Sequence, residues 1–234
     1  MRKSFAALTL GLFAASVSVP ALAQDKVDNE LTQASQIIQE MTGPQQHSGI
    51  PNNVLRDSKC IAVIPKLLKA GFGIGGEHGN GVATCKLSNG RWSPPAPFSM
   101  TGGSFGFQIG GEEVGYIMLA MTDQGMQALM SGHFKVGAGI NAAAGPVGRD
   151  ASASAGWKGA SLLSYSRSKG AYAGATLNGT ELNQDHSATK QLYGTEDSFD
   201  NILSGKVHMP ANQSSATQFV HAVNHAVANA NQGQ

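Results

Sequence analysis

From Cys60 to about Leu182, glycine and alanine sit inside the apolar segments as well as between them. Examples are Val136-Gly137-Ala138-Gly139-Ile140-Asn141-Ala142 and Ala171-Tyr172-Ala173-Gly174-Ala175-Thr176-Leu177. Such residues weaken an isolated strand, but they suit sheets that curve sharply or backbones that pass close together. The short apolar or alternating runs, broken by Gly, Asn and Pro, read as antiparallel strands and their turns. The runs predict strands at 60–64, 72–76, 81–87, 104–109, 114–121, 134–143, 151–157, 160–166 and 171–182. One helix interrupts them, Asp123 to Met130, opened by a Thr122 cap and closed at Gly132. With 30 glycines, 41% hydrophobic and 13% charged residues, the chain has the apolar content for one real core. The expected fold is α+β: a strongly curved antiparallel, Gly/Ala-rich sheet, barrel-like or sandwich, with N- and C-terminal helices flanking a β core at 60–182.

The flanking helices follow from periodicity. Val27, Leu31, Ala34, Ile38 and Met41 recur at 3.6-residue spacing, predicting a helix over 26–42 that Gly43-Pro44 stops. Its other face carries Asp28, Glu30 and Glu40 against Lys26 alone, the pattern of a helix packed on its own domain and not of one lying on a membrane. A short helix is expected after Pro51, with the proline in its first turn. The C-terminal helical segments span 195–230, as Thr195 to Leu203 and Gln213 to Ala230, where Phe219, Val220, Val223 and Val227 form an apolar face.

The N-terminus reads as an export signal over 1–23. Arg2 and Lys3 precede an apolar stretch from Phe5 to Val19, and Pro20-Ala21-Leu22-Ala23 offers small residues for cleavage after Ala23. Ser16, Ser18 and Pro20 break the stretch before it reaches the roughly 20 residues that a membrane span needs. Residues 24–234 are then one domain, periplasmic or secreted. Without Arg2 and Lys3 it holds 14 basic against 15 acidic residues, which argues against a nucleic-acid partner. In an oxidising compartment Cys60 and Cys85, each in an apolar run, form a disulfide if their strands are neighbours, and are buried free thiols if not.

Several motifs invite a catalytic or cofactor reading. Gly71-Phe72-Gly73-Ile74-Gly75-Gly76 fits G-x-G-x-x-G, but the turn Glu77-His78-Gly79-Asn80-Gly81 and another strand follow where a phosphate-binding helix should begin. Gly102-Gly103-Ser104-Phe105-Gly106 fits the nucleophile turn G-x-S-x-G, yet Phe107-Gln108-Ile109 continues as strand, so a Ser hydrolase at Ser104 is the lesser alternative. His221 and His225 stand four apart on the last helix without an acid or third ligand, and read as surface histidines, not as a metal site. Glu112 and Glu113, adjacent on a strand, point to opposite faces. The residues thus predict no catalytic group, no metal and no cofactor.

One ordered set of segments carries a resemblance. It runs Ile50-Pro51, Val54-Leu55, Cys60-Ile61-Ala62-Val63-Ile64-Pro65, Lys69-Ala70-Gly71-Phe72, Gly79-Asn80-Gly81 and Asn89-Gly90-Arg91-Trp92-Ser93-Pro94-Pro95. It continues through Gly110-Gly111-Glu112, Gly145-Pro146-Val147-Gly148-Arg149, Ser164-Tyr165-Ser166-Arg167-Ser168-Lys169-Gly170 and Tyr193-Gly194. This resembles the SYLF family, also called the Ysc84-type actin-binding or DUF500 domain, over nearly all of 24–234. The resemblance implies a non-enzymatic module that binds anionic phospholipids or a membrane surface, with actin binding in some members. It implies Lys66, Lys69, Arg149, Arg167 and Lys169 as headgroup contacts, cations suited to phosphate. Read from the residues alone, such an Arg after a Gly-Pro turn serves equally to tie down loop carbonyls. The acidic N-terminal helix departs from the family's basic one. Outside the cytoplasm, the expected partner is envelope phospholipid, with an envelope or host protein as the alternative.

Overall fold

The structure, a computed structural model, describes residues 21–42, 49–147, 159–168, 171–174, 177, 179–211 and 213–232. Two very long strands dominate it, β1 (Cys60–Cys85) and β2 (Ala96–Ala120), paired antiparallel from Cys60↔Ala120 to Ala83↔Ala96. A 26-residue strand laid straight would reach about 80 Å. Here its two end residues, Cys60 and Cys85, are joined by a disulfide with their Cα atoms 4.0 Å apart. The β1–β2 ribbon is therefore doubled over, and β1 has two arms that cross. The segments expected as separate strands at 60–64, 72–76 and 81–87 are one strand, and so are those at 104–109 and 114–121. The Gly-rich stretch 77–81, which reads as a turn, lies in one arm of the strand where it crosses the other. The disulfide forms, but between the two ends of one strand and not between neighbouring strands.

Glycine permits the crossing. A Cβ on Gly79 would lie 2.7 Å from the Lys66 carbonyl oxygen, and one on Gly81 would collide with the Val63 carbonyl and the Phe98 ring. Register shifts between Ile64 and Leu67 and between Gly71 and Gly73 add the local bending that bulges bring.

The remaining strands complete a seven-stranded curled sheet. The far edge of β2 pairs with β7 (Glu181–Gln184) at one end and β5 (Leu162–Ser168) at the other. Beyond these lie β3 (His133–Lys135) on β7, then β4 (Ala142–Ala144), parallel to β5, and β6 (Ala171–Gly174), antiparallel to it. The predicted strand at 134–143 is thus two short strands separated by a turn, and 171–182 takes in β6 and the first half of β7. The segment 151–157 lies outside the described residues.

Away from the bend the strand alternation sorts the described sheet residues between two cores, one on each face. The inner core, inside the curl, holds Ala62, Ile64, Phe98, Met100, Tyr116 and Met118, closed by α3 (Asp123–Met130) and α5 (Phe199–Leu203). The outer core holds Ile61, Val63, Ile117, Leu119, Leu163 and Tyr165 beneath the helices. There α1 (Ala21–Thr42) lies along α6 (Ser214–Gln232), with α2 (Asn52–Asp57) and α4 (His186–Tyr193) beside them. Val27, Leu31, Ala34, Ile38 and Met41 of α1 are all buried, as a helix packed on its own domain requires. Thr122 caps α3 by accepting the Gly125 N–H. Pro51 stands at the cap of α2, one place before its first turn.

Candidate functional site

The bend of the ribbon gathers three of the five predicted cations, Lys66, Lys69 and Arg167. Arg149 and Lys169 lie outside the described residues. The register shift after Ile64 decides where the three point. Without it, strict alternation would set Lys66 and Leu68 on the inner face with Ile64. With it, Leu67 and Lys69 turn inward, and Lys66 and Leu68 turn outward. Lys66 and Lys69 therefore serve opposite faces and do not form one patch.

Lys69 reaches into the mouth of the inner core. Its side chain is 21% exposed, and its Nζ lies 3.3 Å from Oε2 of Glu77, which is 6% exposed. The same Nζ sits 5.2 Å from the centre of the Tyr116 ring. Burial alone would push the Lys69 pKa down, but Tyr116 and Glu77 outweigh it and hold the ammonium above its usual value. Since Lys69 and Glu77 belong to the two arms of β1, their ion pair ties the arms together beside the bend.

On the outer face Lys66 Nζ lies 4.0 Å from Oε2 of Glu113, and both side chains are well exposed. Arg167, on β5, pairs with Glu40 near the end of α1, so it joins helix to sheet. All three cations face a carboxylate. Arg167 also has a purely structural use, fastening α1. One neighbour was missed in the sequence: Leu68, a large aliphatic side chain left 51% exposed beside Lys66. Its signal was Pro65, because a proline inside a strand marks a bulge or an edge and hence a change of face.

The motifs weighed for other chemistry fall within regular structure. Gly71–Gly76 lies inside β1, and Ser104 lies inside β2 opposite Gly75, with no strand-to-helix turn at either place. His221 and His225 stack with ring centres 6.5 Å apart on the exposed side of α6. Among the described residues no group of three or more His, Cys, Asp or Glu side chains is placed to hold a metal. No described helix is long and apolar enough to cross a membrane.

A family model described as "Ysc84: Las17-binding protein actin regulator" matches residues 101–226, more than half of the chain. The chain belongs to the Ysc84 family. The match takes in most of β2 and everything from α3 into α6. Similar relatives include "LAS seventeen-binding protein 3" of Saccharomyces cerevisiae, 33% identical over 191 residues, covering 78% of this chain and 41% of that protein. "Protein YSC84" of the same yeast is 32% identical over 190 residues, covering 78% of this chain and 40% of that protein. The human "SH3 domain-containing YSC84-like protein 1" is 28% identical over 189 residues, covering 78% of this chain and 55% of its own length. This Ysc84-family chain thus spans about half, or less, of the curated relatives it matches. Of these names, that of the first yeast relative describes a binding protein.

Proposed function

We propose that this chain is a non-catalytic lipid-binding module of a cell envelope that meets an anionic phospholipid surface at the outer side of the ribbon bend. Leu68 carries the reading: an exposed aliphatic side chain next to exposed Lys66 offers an apolar contact and a phosphate partner together. The sequence around the bend has the same character, with no charged residue from Ala70 to Gly76 or from Thr101 to Gly111. An exposed pair such as Lys66–Glu113 is worth under about 1 kcal/mol, so a phosphate replaces Glu113 at little cost. Lys69, sunk between the arms, is less open to a headgroup than Lys66. The envelope address rests on the export signal at 1–23, and recovery of a periplasmic form beginning at Gln24 tests it.

A protein partner is the second reading. The family description, a Las17-binding actin regulator, favours it. Sedimentation with phosphatidylglycerol and with phosphatidylcholine vesicles separates the two. Binding to the anionic vesicles, lost when Lys66, Lys69, Arg149, Arg167 and Lys169 are neutralised together, supports the lipid reading. No binding, or binding undiminished in that variant, overturns it. A stoichiometric protein partner on lipid-free protein then supports the second.

A further inference from the structure

Glu30 projects from α1 toward the start of α4. Its Oε1 is shut off from solvent and receives no hydrogen bond among the described residues. The acid whose charge acts on it is Asp185, the cap of α4, whose Oδ1 is already taken by the Ala188 N–H.

The other elements against α1 offer Glu30 little compensation. Lys26, one turn earlier on α1, is exposed and is, among the described residues, the cation that favours the charged form. β1 turns Ile61 and Val63 toward the helices. On α6 the titratable residues are His221 and His225, both exposed, while Ser215 donates to Asp28. On α4, His186 is exposed and Lys190 is held by Glu196, while the Tyr193 hydroxyl donates to the Pro95 carbonyl. Arg167 is at the opposite end of α1, paired with Glu40.

We infer that the α1–α4 seam is a proton-sensitive clasp: Glu30, acted on by Asp185 and with a shielded Oε1 that receives no hydrogen bond among the described residues, holds α1 down when protonated and loosens it when ionised. Burial, then the charge of Asp185, pushes the Glu30 carboxyl up to about 7 from 4.5, against the weaker pull of Lys26. The sign follows by linkage. A carboxyl whose pKa is raised in the docked state gives α1 its full hold below about 4.5, loses hold as pH climbs toward 7, and levels off above. What the clasp covers is the apolar stripe Val27, Leu31, Ala34, Ile38 and Met41, so loosening α1 bares an amphipathic helix. The clasp is independent of which ligand the ribbon bend takes.

Hydrogen exchange of the α1 amides between pH 5 and pH 9, divided by the intrinsic exchange rates, tests the clasp. Protection should fall with rising pH by a factor on the order of a hundred. Glu30→Gln should flatten the profile. Asp185→Asn keeps the cap, since Asn caps as well as Asp, and should move the fall to lower pH. Identical profiles for the wild type and Glu30→Gln would overturn the clasp, as would protection that rises with pH. If Glu30→Gln does not fold, an unmoved midpoint in Asp185→Asn overturns it equally.

Discussion

Cys60 and Cys85 are the first and last residues of one strand, and the bond between them closes the doubled ribbon on itself. The chain loop so closed has a sequence separation of 25, for which chain-entropy arguments give about 3 kcal/mol of stabilisation. Replacing both cysteines with alanine should lower the unfolding free energy by that order. Urea denaturation of the oxidised wild type and the double variant measures it.

The crossing of the two arms makes Gly79 and Gly81 intolerant of any side chain. Gly79→Ala and Gly81→Ala should each cost about 1–3 kcal/mol, because the obstacle is backbone carbonyl and not the tip of a flexible side chain. Gly103→Ala, where a Cβ meets nothing within 4 Å, should change the denaturation midpoint little.

The two lysines of the bend should behave differently in double-mutant cycles. Lys69 and Glu77 are largely withdrawn from water, so Lys69→Met with Glu77→Gln should show a coupling of about 1–3 kcal/mol. Lys66→Met with Glu113→Gln, an exposed pair, should show less than about 0.5 kcal/mol. Equal couplings would mean that the two lysines share one environment.

Leu68→Ser separates binding from folding. A half-exposed side chain carries little of the core, so stability should move by less than about 0.5 kcal/mol. Binding to phosphatidylglycerol vesicles should drop severalfold if the bend is the docking surface.

Truncation of the α1 stripe gives a scale for the helix layer. Leu31→Ala should cost about 2–5 kcal/mol, since Leu31 is wholly buried in the outer core. The measurement is thermal or urea unfolding at pH 6, where Glu30 still holds its proton.

Much of this fold is legible in the sequence where a local signal fixes the outcome. Thr122 and Gly132 bracket α3, and the stripe from Val27 to Met41 gives the buried face of α1. The unity of β1 is not legible, because glycine both ends strands and lets them bend, and only the contact of distant backbones distinguishes the two uses. Helix α4 went unseen although its signals are present: Asp185 caps it, Gly194 ends it in the left-handed region, and Ala188 and Leu192 stand four apart. Its polar composition hid them. At the bend, the lysines were legible as cations but not as a divided pair, since their faces depend on the shift at Pro65.

The register of β1 on β2 also orders events in time. Ala83 and Ala96 stand 13 residues apart along the chain, whereas Cys60 and Ala120 stand 60 apart. Loop closure favours the short separation first, so pairing starts beside the 86–95 connection and zips outward. Cys85 is in place from the beginning and Cys60 arrives with the last rungs. In the folded ribbon the two sulfurs meet only where its ends have come back together, so the bond fastens the last rungs laid to the first.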